Sequence, residues 1–316
     1  MQKGEWSQVT AIASRDRGKA EKAAGLLGIP KAYGSYAELL SDPDIDAIYN
    51  PLPNHLHVPW TIVAAEKGKH VLCEKPLATT VADAEKVRAV RERTGVKIGE
   101  AFMVRTHPRW IRTRELIRSG RIGELRTIES FFSYFDREPK NVRNVLEYGG
   151  GALLEIGCYP ITLSRFLYGE EPIRMIGLLE RDPDLKIDRL DSAILDFPSG
   201  RCAFTCGTQF VYHQRMHFQG TRGRIEISVP LNPPIDRPSQ ILIDDGRDLS
   251  GGGVTVETIP ACDQFTIQAD LFSKAIRGGE EVPVSVEDAT LNASVIEAIF
   301  RSAESCKWER PARPEF

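Results

Sequence analysis

The sequence predicts an α/β protein: a doubly wound parallel sheet, then an α+β unit with a large, mainly antiparallel sheet. Three observations predict it. From Val9 to Phe102, short apolar runs alternate with helical segments, the rhythm of a parallel sheet wrapped by helices. After Phe102 that rhythm gives way to strand-like runs bounded by turns and closed by two long helices. At 316 residues, 41% apolar and 27% charged, the chain has ordinary globular composition and enough length for two cores. The division falls between residues 1–103 and 104–316.

In the first part, Val9 to Ala13 reads as strand, Arg17 to Leu27 as helix and Tyr36 to Leu40 as a short helix. Strand Ala47 to Tyr49, helix Val58 to Lys67, strand His70 to Cys73, helix Thr80 to Arg93 and strand Lys97 to Gly99 follow. In the second part, a helix near Trp110 to Ile117 leads to a long strand, Leu125 to Phe135. Gly149-Gly150-Gly151 then opens an apolar helix, Ala152 to Leu167. Met175 to Leu179, Ala193 to Phe197, Cys202 to Gln209, Met216 to Gln219 and Arg224 to Ser228 read as strands. Gly220 to Gly223 reads as a hairpin turn between the last two, and Asp244 to Gly253 as a weakly ordered loop. Helices near Gln264 to Arg277 and Val286 to Ser305 close the chain.

Composition excludes several partners. A net charge of −3 without a long basic run argues against nucleic acid and against an anionic membrane surface. Arg109 to Arg126 is locally basic, but Glu115 and Glu124 make it a solvated helix face. The six cysteines have neither paired Cys-x-x-Cys spacing nor a histidine at ligand distance, which fits free thiols in a reducing cytoplasm and no metal. No run of about 18 apolar residues is present to form a membrane helix.

The most telling local feature is Glu74-Lys75-Pro76, closing the strand His70 to Cys73. Open α/β sheets bind ligands beyond their strand ends, and the proline keeps Lys75 out of the next helix. A solvated turn lysine is the competing reading for a lone Lys-Pro. The neighbouring strand Ala47 to Tyr49 ends in Asn50-Pro51-Leu52-Pro53-Asn54-His55, and Lys97 to Gly99 ends in Glu100, followed by Arg105 and His107. Three adjacent strand ends thus carry polar groups facing one crevice.

The chain resembles the Gfo/Idh/MocA oxidoreductase family. The resemblance rests on Ala13-Ser14-Arg15-Asp16, Tyr33 to Tyr36, Asn50 to His57, Gly68 to Leu77, and Gly149 to Pro160, in the family's order along nearly the whole chain. Gly157-Cys158-Tyr159-Pro160 is most similar to the branch holding trans-dihydrodiol dehydrogenase and NADP-dependent D-xylose dehydrogenase. The resemblance implies a Rossmann-type dinucleotide-binding domain over 1–103 and a substrate-binding and dimerisation domain over 104–316. It implies an NAD(P)-dependent dehydrogenase moving a hydride between nicotinamide and a sugar or cyclic-diol hydroxyl. Tyr159 would handle the hydroxyl proton, and Lys75 would lower its pKa and hydrogen-bond the substrate or ribose. Glu155 stands where the family usually has aspartate, and with Arg105 it is a candidate substrate contact. Asn50, Pro51, Asn54, His55, Glu74 and Lys75 would line the cofactor. A tyrosine packed on the domain interface is the alternative for Tyr159, and a solvated sheet face for His213 and His217.

Cofactor choice is read at the end of the first strand. Ser14 and Arg15 suit a 2′-phosphate and so NADP; Asp16 leaves NAD open, although a helix cap explains it better. The chain has no Gly-x-Gly-x-x-Gly. Aligned to the family, about 25 to 30 residues holding the first strand and the glycine loop are missing before Met1, the expectation being a native protein that is longer. That lack also keeps a second reading open, a cofactor-poor relative acting as a binding scaffold. Few helices follow Met175, so one face of the second sheet is expected to be uncovered and to form a homodimer.

Overall fold

The computed structural model describes residues 1–316. Its first part runs β1 (Ala11–Ala13), α1 (Arg17–Leu27), β2 (Lys31–Tyr33), α2 (Tyr36–Leu40), β3 (Ala47–Asn50), α3 (Asn54–Glu66), β4 (His70–Glu74), α4 (Val81–Thr94) and β5 (Ile98–Ala101). Helices begin where a side chain takes a free first-turn N–H: Asp16 accepts from Lys19, Ser35 from Glu38 and Thr80 from Asp83. α1 and α4 stop at Gly28 and Gly95, both left-handed. α3 starts at Asn54, ahead of the predicted Val58. Its polar first residues read as turn, but Pro53 leads the chain in at a fixed φ, and first-turn N–H groups need no helical partner.

The five strands form two parallel sheets, β1-β2 and β3-β4-β5. β1 pairs only with β2 and β3 only with β4, so each has one free edge. Accordingly Ala47 and Tyr49 of β3 are exposed, whereas Val71, Leu72 and Cys73 of β4, flanked on both sides, are buried. β2 escaped the sequence reading because Lys31-Ala32-Tyr33 offers no apolar run.

The second part comprises α5 (Pro108–Arg118), β6 (Leu125–Phe135), α6 (Cys158–Tyr168), β7 (Arg174–Arg181), β8 (Asp188–Asp196), β9 (Arg201–Gly207), β10 (Gln209–Gly220), β11 (Arg224–Ile227), β12 (Ser239–Asp244), β13 (Val254–Ile259), α7 (Gln264–Gly278) and α8 (Val286–Ser305). Its eight strands lie in the order β13-β12-β11-β10-β6-β9-β8-β7, and only β6 and β9 run parallel. The predicted hairpin is there, with Gly220 N donating to Gly223 O at 2.8 Å. β10 is longer than predicted, because Phe210 to His213 are exposed and break the inward alternation that marks a strand. α5, α6 and α8 pack on one face over a core that includes Trp110, Phe218, Ile128 and Ile161. The opposite face bears Leu178, Ile194 and Val256, all exposed.

The last two helices also support the first part. Phe272 of α7 packs with Leu72 and Ala101, and Val286 and Ala289 of α8 join the core formed by α3, β4 and α4. Glu100 N donates to Val284 O at 3.0 Å, tying β5 to the segment before α8.

The approach to α6 depends on Gly151. Its φ is +125°, and a Cβ there would lie 2.2 Å from Asp188 Oδ1. Asp188 cannot retreat freely, since its Oδ2 accepts from Leu153 N at 2.7 Å. Gly151→Ala combines a strained backbone with a steric clash and should cost about 2–4 kcal/mol. Urea unfolding checks this, and an unchanged midpoint would refute it.

Candidate active site

β4 delivers Lys75 to the seam between the two parts, where it is 9% exposed. Its Nζ donates to Glu155 O at 2.6 Å and lies 3.5 Å from Glu155 Oε2. Glu155 sits in a π-helical turn, Leu153–Gly157, that leads into α6; such turns recur at functional sites. The other carboxylate oxygen, Oε1, accepts from Arg143 Nε at 2.8 Å. Glu155 therefore bridges two cations, and its extra methylene relative to aspartate lengthens its reach between them. One turn beyond Glu155, at the start of α6, the Tyr159 ring centroid is 5.1 Å from Lys75 Nζ. Tyr159 packs edge-on against Phe102, and its hydroxyl donates to Met103 Sδ at 3.6 Å. Lys75, Glu155 and Tyr159 are thus brought together.

Burial penalises charge on all three, and their mutual pairing decides the outcome. Desolvation pushes the Lys75 ammonium down, but Glu155 and its other acidic neighbours outweigh this and hold it above its ordinary value. Burial pushes Glu155 up, but Lys75 and Arg143 together bring its carboxyl below the usual range. For Tyr159 burial wins: the phenol is held well above its ordinary value, although Lys75 pulls it down as the sequence leads one to expect. Tyr159 is therefore a neutral phenol at pH 7.

The other strand-end residues are mostly committed to building the turns. Asn50 is buried, its Nδ2 donating to His57 O at 3.1 Å and to Thr61 Oγ1 at 3.3 Å, while its Oδ1 accepts from Leu52 N. Asn54 Nδ2 donates to Gly149 O at 2.8 Å, and His55 stacks on Tyr148 with centroids 4.3 Å apart, so this turn clasps the second part. Pro51 is exposed at the turn's start. Glu74 accepts from the Tyr49 hydroxyl and from Lys75 N, and burial raises its carboxyl. Arg105 pairs with Asp288 at 2.8 Å, donates to Thr162 Oγ1 and lies over Phe166, a setting that packs α6 against α8. His213 is exposed, and His217 lies 3.5 Å from Glu226 on the open sheet face.

At the end of β1, Ser14 Oγ accepts from Asp16 N, and the Asp16 carboxylate caps α1 through Lys19 N at 3.2 Å. Arg15 is exposed, and it is the neighbouring Arg17 that pairs with Glu38. No group of three or more His, Cys, Asp or Glu side chains is placed to hold a metal ion, and no helix is long and apolar enough to cross a membrane.

Sequence reasoning missed three neighbours. Arg143 lies in an irregular segment with no periodicity to place it. Tyr134, on β6, has a buried hydroxyl without a partner; burial chiefly pushes its phenol up, with Glu155, Arg143 and Lys75 acting after it, and an inward-facing strand tyrosine reads simply as core. His57 falls within the Asn50 to His57 motif, yet nothing in the sequence says that both its ring nitrogens are engaged.

A parallel α/β part and an α+β part that enclose a buried lysine, a carboxylate and a tyrosine at their seam define a two-domain α/β protein. Residues 1–102 match the oxidoreductase family with an NAD-binding Rossmann fold, and residues 110–226 match the GFO/IDH/MocA C-terminal domain. An uncharacterized oxidoreductase of Rhizobium meliloti is 44% identical over 98% of this chain and 93% of its own length. An NADP-dependent D-xylose 1-dehydrogenase of Haloferax volcanii is 35% identical over 94% and 90%. A 3-ketoreductase from Actinomadura kijaniata, solved with NADP and TDP-benzene, superposes with a TM-score of 0.86 at 30% identity, covering 93% of this chain and 89% of that one. Variants of that ketoreductase with a tyrosine changed to phenylalanine and with a lysine changed to alanine have also been solved. The chain belongs to the GFO/IDH/MocA oxidoreductase family.

Behind Lys75, Glu100 accepts from Leu77 N at 2.8 Å and is fully buried, which lifts its carboxyl from an ordinary 4.5 to about 8. Between those values the folded protein keeps a proton that the unfolded chain releases. Glu100 therefore contributes stability that is complete below pH 4.5 and lost as the pH rises to about 8. Glu100→Gln, which keeps the acceptor for Leu77, should flatten urea-derived stability across that window. A variant with the wild-type pH slope would refute the assignment.

Proposed function

We propose that the chain is an NADP(H)-dependent oxidoreductase acting on a carbon that bears a sugar or cyclic-diol hydroxyl, and that at neutral pH it favours reduction of the carbonyl. The observation that carries this is the neutral Tyr159 phenol beside the buried Lys75 ammonium, which is itself fixed by Glu155. A nicotinamide cofactor held by the residues named below would supply hydride chemistry at the carbonyl carbon. As the carbonyl π electrons move to oxygen, Tyr159 donates its hydroxyl proton there, and Lys75 balances the phenolate that remains. Oxidation runs the same transfers backwards and needs the phenolate first, so it is favoured at higher pH. Sugar chemistry is supported by the named relatives, among them the D-xylose dehydrogenase and the ketoreductase solved with a TDP ligand.

For the cofactor, Ser14 and the exposed Arg15 fit a ribose 2′-phosphate, while Asp16 is occupied as a helix cap. That favours NADP over NAD. Asn50, Pro51, Asn54, His55, Glu74 and Lys75 would line the nicotinamide end. The uncovered face of the eight-stranded sheet, with Leu178, Ile194 and Val256 exposed, suits a second copy of the chain, giving a homodimer. Six free cysteines suit a reducing cytoplasm.

Tyr159→Phe should lower kcat for carbonyl reduction about 10²–10⁴-fold while leaving NADPH affinity intact. Full activity in this variant would sink the assignment of the proton donor. NADPH that neither raises the thermal midpoint nor fluoresces more strongly with the protein would instead favour the cofactor-poor scaffold. Arg15→Ala should weaken NADPH binding about tenfold or more and leave NADH binding unchanged, as expected for loss of a charge-assisted phosphate contact. Equal losses for both cofactors in a binding titration would contradict that role.

A further inference from the structure

His57 of α3 is 1% exposed, and each of its ring nitrogens meets a carbonyl oxygen. Nδ1 is 2.7 Å from Pro76 O, and Nε2 is 2.5 Å from Leu52 O. Leu52 belongs to the turn after β3 that carries Asn50 and Asn54, and Pro76 directly follows Lys75 after β4. One imidazole therefore spans the two strand-end loops that build the site. Asn50 fixes the same assembly, donating to the backbone carbonyl of His57 and accepting from Leu52 N.

A carbonyl oxygen can only accept, and a neutral imidazole has a single N–H. The neutral ring can serve one loop, leaving a lone pair facing the carbonyl of the other. Only the imidazolium, with two N–H groups, serves both. Burial opposes that form and holds the His57 pKa below its ordinary value, although both carbonyls pull it up. The charged and titratable groups that act on the ring are Lys75 beyond β4 and His55 on α3, and each disfavours a further positive charge.

We propose that His57 is the positioning residue coupling the two loops, a clamp closed on both when its ring is protonated and on one when it is neutral. Its effect on chemistry runs through Lys75, whose loop it holds by Pro76 O. That consequence rests on the hydride-transfer reading above, whereas the clamp itself does not. The primary test is therefore spectroscopic. In the full chain, the ring nitrogens of His57 and the backbone carbonyl carbons of Leu52 and Pro76 are followed by NMR from pH 8 to pH 5. The expected result is protonation of both ring nitrogens with a midpoint below about 6.5, the free histidine value. Both carbonyl signals should move with that same midpoint. A ring that keeps one bare nitrogen down to pH 5 in folded protein, or a single responsive carbonyl, would overturn the proposal.

Kinetics supply the second arm. His57→Phe retains a ring without donors, and His57→Gln retains an amide with two N–H groups. The phenylalanine variant should lose about tenfold in kcat with little change in KM, roughly the worth of one or two hydrogen bonds, and the glutamine variant should recover most of it. Both should lose any inflection in kcat that follows the His57 midpoint. Wild-type kcat and pH profile in the phenylalanine variant would overturn the positioning role. Should that variant not fold, the wild-type titration still decides. Wild-type protein without hydride transfer would defeat the functional reading and leave the spectroscopic outcome standing.

Discussion

The constraint on which the site depends is the burial of one ammonium group. A lysine taken out of water is tolerated only when an anion and hydrogen-bond acceptors meet it, and removing one partner of such a pair is costly. Lys75 comes from the end of β4 in the first part, and its acceptors, the carbonyl and carboxylate of Glu155, come from the turn before α6 in the second. The pair thus fixes the two parts against each other at the point where chemistry is proposed. Asn54 to Gly149 and His55 on Tyr148 reinforce the same seam. Shifting the turn that carries Glu155 would unpair Lys75 and displace Tyr159 together, because Gly151 and Asp188 set the entry to that turn.

The pairing also changes how Lys75 is understood. From sequence, an ammonium near a tyrosine suggests a phenol made acidic. The direction of that influence holds, but desolvation of the phenol exceeds it. Much of the field of Lys75 is spent on Glu155, whose own carboxylate is shared with Arg143. In the proposed reaction the ammonium is then better placed to stabilise negative charge appearing on Tyr159 than to create it beforehand. That is differential stabilisation of the kind that accelerates a step, rather than a uniformly lowered pKa.

Much of this was legible in the sequence. The strand-helix rhythm, the position of Lys75 at a strand end and the glycine-led entry to Tyr159 are local signals, written in apolar periodicity and in residues with restricted backbones. What stayed hidden is non-local. Arg143 reaches Glu155 from an irregular segment, Arg105 turns away to Asp288, and α7 and α8 return from the chain's end to pack on β4 and β5. The first half of β10 carries no strand signal, because Phe210 to His213 are exposed and lie at an irregularity in the pairing with β6. Nor does the sequence show that the Asn50 and Asn54 amides also shape the turn and the seam.

The two parallel sheets divide the residues proposed to hold the cofactor. Ser14 and Arg15 lie at the end of β1, while Lys75 and the Asn50 to His55 turn lie at the ends of β4 and β3, in a different sheet. No backbone ladder connects them, so their spacing rests on side-chain packing and turns. Leu40 of α2 enters the core beneath β4, and Tyr36 meets Trp60 of α3 edge-on at 4.9 Å. Lys31 of β2 pairs with Asp42 and Asp44, while Lys69 donates to the carbonyls of Asp42 and Ile45 in the same connection. These contacts are fewer than a shared strand would provide, and exposed ion pairs add little. The end proposed to bind phosphate is therefore the more loosely held, and the end proposed to react, pinned by a buried ion pair, the more rigid. A cofactor seated at both ends would bind the two sheets to one another, so its largest structural effect should fall on β1, β2 and α1.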